Sequence, residues 1–366
     1  MAPAIPPEIL HDIESIHMAL NYSVPDVEAL VNIIGTFHAC VVQFNPRSRS
    51  TPSPEKNVNF SEQNQAKTQL IIDFDYMYHP TTLIGRRENH QLIAIARQYK
   101  AAFGVDLPTE LDRRIIGSVG SLLSYACMHK VLAEAHYLHN AGKSHRKYET
   151  LRKKDTVAEI LVGRTPEELR ELHEAYKALY KGDLKEHVLS LCKDDIDKDF
   201  FSGILLDKED KPLENVEGAI KAFNKLLVAQ DLSGSLHYVS TLTTSQVRTL
   251  VKSYNEHFKE AHVVSTIEKT IGHKHKREHV EILLFAVMQA SGPSRHVALL
   301  FEESMAGVGT NEDQLSRLVV IHRGKFMDEV KLSYSVDFDR TLADRIRGDT
   351  SGPYCNLLCH LINQTI

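Results

Sequence analysis

The sequence predicts an all-α protein assembled from four diverged copies of one helical unit. Three observations carry this: an apolar stripe that recurs four times, a near-constant spacing between the copies, and no convincing strand-type alternation anywhere. The stripes read Leu92, Ile95, Tyr99, Phe103; Leu169, Leu172, Tyr176, Tyr180; Val247, Leu250, Tyr254, Phe258; and Met327, Val330, Tyr334, Phe338. Their tyrosines lie 77, 78 and 80 residues apart. Steps of three, four and four residues keep all four side chains on one face of a helix. Polar residues such as Glu167, Glu168, Arg170, Glu171 and Glu174 fill the opposite face.

Helix starts fall in the same register. Thr165-Pro166-Glu167-Glu168 is a capping box with proline at the first helical position, and Thr243 is followed three residues later by Gln246. Eight residues beyond the tyrosine, a further apolar position recurs at Leu107, Leu184 and Leu342. In the third copy His262 stands there with Val263 beside it, which indicates a one-residue insertion. Each copy then reaches an apolar pair: Leu122-Leu123, Ile204-Leu205, Leu283-Leu284 and Leu357-Leu358. Each unit therefore holds several short helices.

These landmarks divide the chain into a short N-terminal segment (1–7), repeat 1 (8–130), repeat 2 (131–206), a linker (207–214), repeat 3 (215–291) and repeat 4 (292–366). The linker is charged and contains Pro212, so it splits the array into halves. Residues 45–86, polar and punctuated by Pro46, Pro52 and Pro54, form an insertion inside repeat 1.

Bulk composition bounds the function. With 42% apolar and 25% charged residues, the 366-residue chain is an ordinary water-soluble globular protein. A formal net charge of -5 argues against nucleic-acid binding and against simple electrostatic adhesion to an anionic bilayer. Membrane contact, if any, must be local, through a bridging cation or a basic patch. Met1 to Leu10 has prolines and no apolar core, so no signal peptide is visible. The five cysteines (Cys40, Cys127, Cys192, Cys355, Cys359) are odd in number and never in C-x-x-C spacing, as expected of reduced thiols in a cytoplasmic protein.

Chemistry concentrates in the fourth copy. An apolar helix from His296 to Met305 runs into Met305-Ala306-Gly307-Val308-Gly309-Thr310-Asn311-Glu312. Two glycines in three positions let the backbone turn its carbonyls toward a common point, where a hard cation such as Ca2+ accepts carbonyl oxygen. Asp349, in Gly348-Asp349-Thr350-Ser351-Gly352, is the acid best placed to supply charge. The bland alternative is a helix-capping turn, with Thr310 and Asp313 as a capping box and Asp349 as a second cap.

The loop Met305 to Thr310 paired with Gly348 to Gly352, together with Gly163-Arg164-Thr165-Pro166-Glu167-Glu168-Leu169-Arg170, resembles the annexin family. The resemblance extends over nearly the whole chain outside the insertion. It implies four repeats of about five helices each, arranged as a curved disc with calcium loops on its convex face. The family pattern assigns the backbone oxygens of Met305, Gly307 and Gly309 and both carboxylate oxygens of Asp349 to one Ca2+. Water or a lipid phosphate completes the shell. Ala306 stands where the family commonly has lysine or arginine, which removes one headgroup contact.

The other copies depart further. Copy one has Asn21 to Asp26 at the loop and Ile115-Ile116-Gly117-Ser118 in place of the acid. Copy two has Asn140-Ala141-Gly142-Lys143-Ser144-His145, with carboxylates at Asp194, Asp195 and Asp197. Copy three has Gln230-Asp231-Leu232-Ser233-Gly234 and a basic stretch, His273-Lys274-His275-Lys276-Arg277. That stretch is either a solvated turn or a direct contact for anionic headgroups. His273, His275 and His279 also suggest a metal cluster, but the cations among them oppose it. Cys355 and Cys359 read as core.

The expected function is calcium-dependent, reversible binding to anionic phospholipid at the cytosolic face of membranes, with Ca2+ bridging the repeat 4 loop and lipid phosphate. A site of mostly neutral carbonyls with one carboxylate binds calcium weakly in water, and a bound phosphate couples calcium and lipid affinity reciprocally. One site cannot multiply by avidity, so the expected calcium requirement is high unless self-association on the membrane restores multivalency. Val308 at the loop tip either dips into the interface or is an exposed valine of no consequence. The alternative is a helical-repeat scaffold for protein partners with vestigial calcium binding. No phosphate loop, zinc-hydrolase, nucleophile-elbow or dinucleotide motif is present, so no enzyme is expected, and a hydrolase using the histidines has no motif behind it.

Overall fold

The structure is a computed structural model describing residues 7–21, 25, 27, 89–141, 149–259 and 261–363. Among these residues there are 19 α-helices and no strand, in agreement with the all-α expectation. The insertion at 45–86, Cys40 and most of the loops of copies one and two lie outside the described residues.

The helices fall into four successive groups. The first is α1 (Pro7–Asn21), α2 (Asn89–Phe103), α3 (Leu107–Arg114) and α4 (Ser118–Ala126). The second is α5 (Lys130–Ala141), α6 (Glu149–Leu161), α7 (Pro166–Tyr180), α8 (Leu184–Leu191) and α9 (Asp195–Ile204). The third is α10 (Val216–Val228), α11 (Leu232–Thr241), α12 (Thr244–His257), α13 (Val263–Thr270) and α14 (Arg277–Ser291). The fourth is α15 (Pro293–Ser304), α16 (Glu312–His322), α17 (Lys325–Phe338), α18 (Leu342–Asp349) and α19 (Gly352–Leu361).

The stripes lie on α2, α7, α12 and α17, with Phe258 just past the end of α12. Tyr99, Tyr176, Tyr254 and Tyr334 are all buried, and each ring meets the aromatic four residues on at a centroid separation of 4.9, 5.0, 4.7 and 4.7 Å respectively. Four residues is just over one helical turn, so the geometry repeats with the sequence pattern. Each tyrosine hydroxyl reaches back to the first helix of its own group: to His17 at 3.1 Å, His139 at 3.0 Å, Asn224 at 2.7 Å, and Glu302. A buried phenol needs such a partner. The same contact spans 82 residues in the first group against 37, 30 and 32 in the others, which is where extra chain must be accommodated.

The local expectations for helix starts hold. Both capping boxes form, Thr165 with Glu168 and Thr243 with Gln246. Leu107, Leu184, Val263 and Leu342 are all buried, with Val263 rather than His262 in the third copy. Residues 207–214 form no helix, but they are tied down. Lys208 Nζ donates to the carbonyls of Ser240 (2.5 Å) and Leu242 (3.0 Å), and Asp210 accepts from Thr243 Oγ1 at 2.7 Å.

Two hydrophobic cores result, and they do not follow chain order. One combines the first and fourth groups, joining Ile16, Leu92, Leu111 and Leu122 with Phe301, Leu318, Met327 and Leu357. The other combines the second and third, joining Leu138, Leu172 and Phe200 with Phe223, Leu250 and Leu283. Full burial of each such side chain contributes about 1.5–3 kcal/mol. Tyr137 and Phe285 pack against both cores. The halves are also joined by an ion pair between α6 and α16, Arg317 Nε to Glu159 Oε2 at 2.7 Å, with side chains 7% and 1% exposed. No described helix is long and apolar enough to cross a membrane.

Candidate functional site

Helix α15 stops at Ser304 because the chain turns into a glycine loop, with Met305 as the C-cap residue. Asn311 N–H closes the loop onto the Ser304 carbonyl at 2.7 Å. Within it Gly307 and Gly309 both have φ of +85°, a backbone region that L side chains enter at a cost of about 1–2 kcal/mol. A Cβ on either would meet nothing within 4 Å, so glycine is required here for conformation and not for space. Val308 between them is fully exposed, and Met305 is buried.

The capping expectation is corrected here. The N-cap of α16 is Asn311, whose side chain accepts from Gln314 N–H at 3.4 Å, and not Thr310. The Thr310 hydroxyl is instead committed to Asp349, which it meets at the backbone carbonyl (3.1 Å) and at carboxylate Oδ2. That bond lashes the glycine loop to the acid 39 residues later. Asp349 is the last residue of α18, and Thr350 follows as C-cap with its own hydroxyl on the Ile346 carbonyl at 2.7 Å.

A side chain that the sequence reading passed over draws the site together. Arg345, one turn before Asp349 on α18, donates Nη1–H to Asp349 Oδ1 at 2.9 Å and Nη2–H to the Met305 carbonyl. Its Nε lies 3.2 and 3.3 Å from the two carboxylate oxygens of Glu302. Glu302 also receives Arg340 at 3.0 Å and the Tyr334 hydroxyl. Burial alone would raise the Glu302 carboxyl, but the hydrogen bonds from Tyr334 and Arg345 and the charges of Arg345 and Arg340 outweigh it and hold it below the ordinary range. The i, i+4 spacing of Arg345 and Asp349 was a readable signal of this pairing.

The donor set fits a hard cation. A neutral carbonyl at Met305 and a carboxylate at Asp349 converge closely enough for one guanidinium to bond both, so a positive charge already stands where their oxygens meet. Gly307 and Gly309 lie in the same loop, and Thr310 keeps that loop within a hydrogen bond of the carboxylate.

The other copies use their corresponding residues differently. In the third, Asp231 caps α11 by accepting from Gly234 N–H at 2.8 Å. The Gln230 carbonyl there meets His275 Nε2 at 2.8 Å, and Lys274 Nζ donates to Gln230 Oε1 at 2.6 Å. In the second, Asp194 turns toward the third repeat, 3.3 Å from His279 Nε2. His279 is buried while His273 and His275 are exposed, so the three do not assemble; His279 instead groups with Asp194 and Glu278. In the first, Ile116 is 95% exposed and Ser118 donates to Glu312. Cys355 is buried and Cys359 half-buried, and burial pushes the Cys359 thiol up to about 12, as suits a core cysteine.

Comparison with known proteins follows the same lines. Residues 295–361, spanning the loop and the acid, match the family model described as Annexin. Rat (Rattus norvegicus) annexin A8 is 25% identical over 332 residues, covering 86% of this chain and 93% of its own. A solved annexin A8 with an intact N-terminus superposes with a TM-score of 0.72 at 19% identity, covering 100% of this chain and 97% of that one. A calcium-bound annexin (Sm)1 gives 0.67 at 16% identity, covering 98% of this chain and 91% of that one. Four repeats of five helices are the architecture of these structures. The chain is thus similar to annexins along most of its length, and its match to the family model lies in the fourth repeat.

Proposed function

We propose that this protein binds anionic phospholipid surfaces reversibly through one Ca2+ held by the fourth repeat. Annexins in general are calcium-dependent phospholipid binders, which is the coarse statement the similarity to them supports. The finer reading assigns the backbone oxygens of Met305, Gly307 and Gly309 and the carboxylate of Asp349 to the ion, with lipid phosphate and water completing its shell. The observation that carries it is the single guanidinium bonded to both the Met305 carbonyl and Asp349, which supports reading the two as one cation-binding cradle. Calcium would supply the charge that bridges protein to phosphate. The residues of this chain shape the cradle: the glycines turn the backbone outward, Thr310 orients the carboxylate, and Val308 stands proud at the tip.

Sedimentation with phosphatidylserine vesicles across a calcium series tests this. Wild type should co-sediment only with calcium, and Asp349→Ala should lose binding. Equal sedimentation of both proteins with chelator present would sink the bridging mechanism and direct attention to the basic segment around Lys274.

A second reading, a helical scaffold for protein partners with vestigial calcium binding, is favoured by the third repeat. There the loop acid Asp231 serves as a helix cap and the Gln230 carbonyl is covered by His275. Failure of wild type to sediment at any calcium level would favour it.

A further inference from the structure

We propose that Arg345 is an intramolecular competitor for calcium at the fourth-repeat cradle, and thereby the residue that sets how much calcium the protein requires. The inference rests on the reading of Met305 and Asp349 as calcium ligands.

The guanidinium spends its donors in two directions. One edge faces Glu302 through Nε, and the other bonds the Met305 carbonyl and Asp349 Oδ1. The side chain is only 13% exposed, Asp349 18% and Glu302 23%, so the group is built into the site and does not sweep through solvent. Arginine presents a rigid planar fork whose N–H directions are fixed toward two acceptors at once, whereas an ammonium on a flexible stem holds no such fixed geometry. Calcium needs the same two oxygens. A divalent ion beside a guanidinium that already holds them meets both a lost ligand set and like-charge repulsion, so it enters only as Arg345 leaves Met305 and Asp349. Glu302 remains as an anchor for the displaced guanidinium, because Arg340 and Tyr334 also hold that carboxylate in place.

The third repeat shows the same filling of a loop by a basic side chain from another segment, with His275 at the Gln230 carbonyl and Lys274 at its amide. In that repeat the basic stretch His273 to Arg277 stands where the acid would fall, whereas in the fourth Asp349 remains for calcium once the arginine moves.

The test uses the full-length protein and two readouts. The first is Tb3+ binding, followed by emission sensitised by tyrosine, with Ca2+ competing; the second is the calcium midpoint for phosphatidylserine vesicles. Arg345→Met keeps much of the stem and removes the charge. It should lower the half-saturating calcium by about tenfold, the scale of a charge-assisted hydrogen bond lost from the ion-free state. Arg345→Lys keeps the charge but not the fork, and should fall between the two. Far-UV circular dichroism and the thermal transition verify folding. If folded Arg345→Met needs as much calcium as wild type, or more, the competition is wrong and Arg345 is a brace for the helix end. Should Arg345→Met not fold, an Arg345→Lys midpoint equal to wild type overturns the idea by itself. Asp349→Ala separates the two levels: if it still binds Tb3+ like wild type, the cradle assignment fails. If it loses binding while both arginine variants behave as wild type, the cradle stands and only the competition fails.

Discussion

Replacing Glu159 should be among the most damaging single changes away from the repeat 4 glycine loop. Its carboxylate lies on α6 in the second-and-third-repeat core, and its partner Arg317 lies on α16 in the other. The pair is 2.7 Å apart with side chains 1% and 7% exposed, and Gln314 Nε2 donates to the second carboxylate oxygen at 2.8 Å. Glu159→Gln preserves the shape but leaves the Arg317 guanidinium buried without its hydrogen-bonded counter-charge. Breaking one side of a buried pair costs about 3–5 kcal/mol, whereas replacing both partners with apolar groups of similar volume is often near neutral. Against a total stability of about 5–15 kcal/mol, even the lower figure is a large fraction. Urea unfolding followed by far-UV circular dichroism on Glu159→Gln, Arg317→Met and the double variant would measure it. The double variant should be less destabilised than the sum of the singles by about 2 kcal/mol or more. A Glu159→Gln cost below about 1 kcal/mol, or strict additivity, would show that this ion pair does not hold the halves together.

Two further outcomes follow from the same geometry. Gly309→Ala meets no atom within 4 Å but must adopt φ of +85°, so it should raise the calcium midpoint for vesicle binding by about tenfold through torsional cost alone; Gly348→Ala, also in open space but without positive φ, is the control and should leave the midpoint unchanged. Burial holds His296 neutral with its pKa lowered to about 4, so the unfolded chain takes up a proton below pH 6.5 that the folded chain refuses, and stability falls as pH drops from 6.5 toward 4. That single group should remove about 2 kcal/mol by pH 5. A urea midpoint that is flat between pH 7 and 5, or an unchanged slope in His296→Asn, would contradict it.

Local pattern carried the sequence a long way. The tyrosine stripes, the two capping boxes and the buried Leu107, Leu184, Val263 and Leu342 are all properties of residues within a turn or two of one another, where helical geometry alone dictates which side chains meet. The glycines of the repeat 4 loop were legible for the same reason, since only a positive φ explains two of them around an exposed valine.

What the tertiary structure decided depends on neighbours that no local rule selects. Thr310 looked like a helix cap because capping boxes are read three residues apart, yet its hydroxyl found a carboxylate 39 residues away and Asn311 took the cap. The pairing of the first repeat with the fourth, and of the second with the third, follows from which apolar faces fit together, and so do the Glu159–Arg317 pair and the cover of Gln230 by His275. Arg345 shows the boundary most clearly. Its contact with Asp349 one helical turn away was implicit in the spacing, but its contact with the Met305 carbonyl, 40 residues back, required the loop and the helix end to be brought together in space.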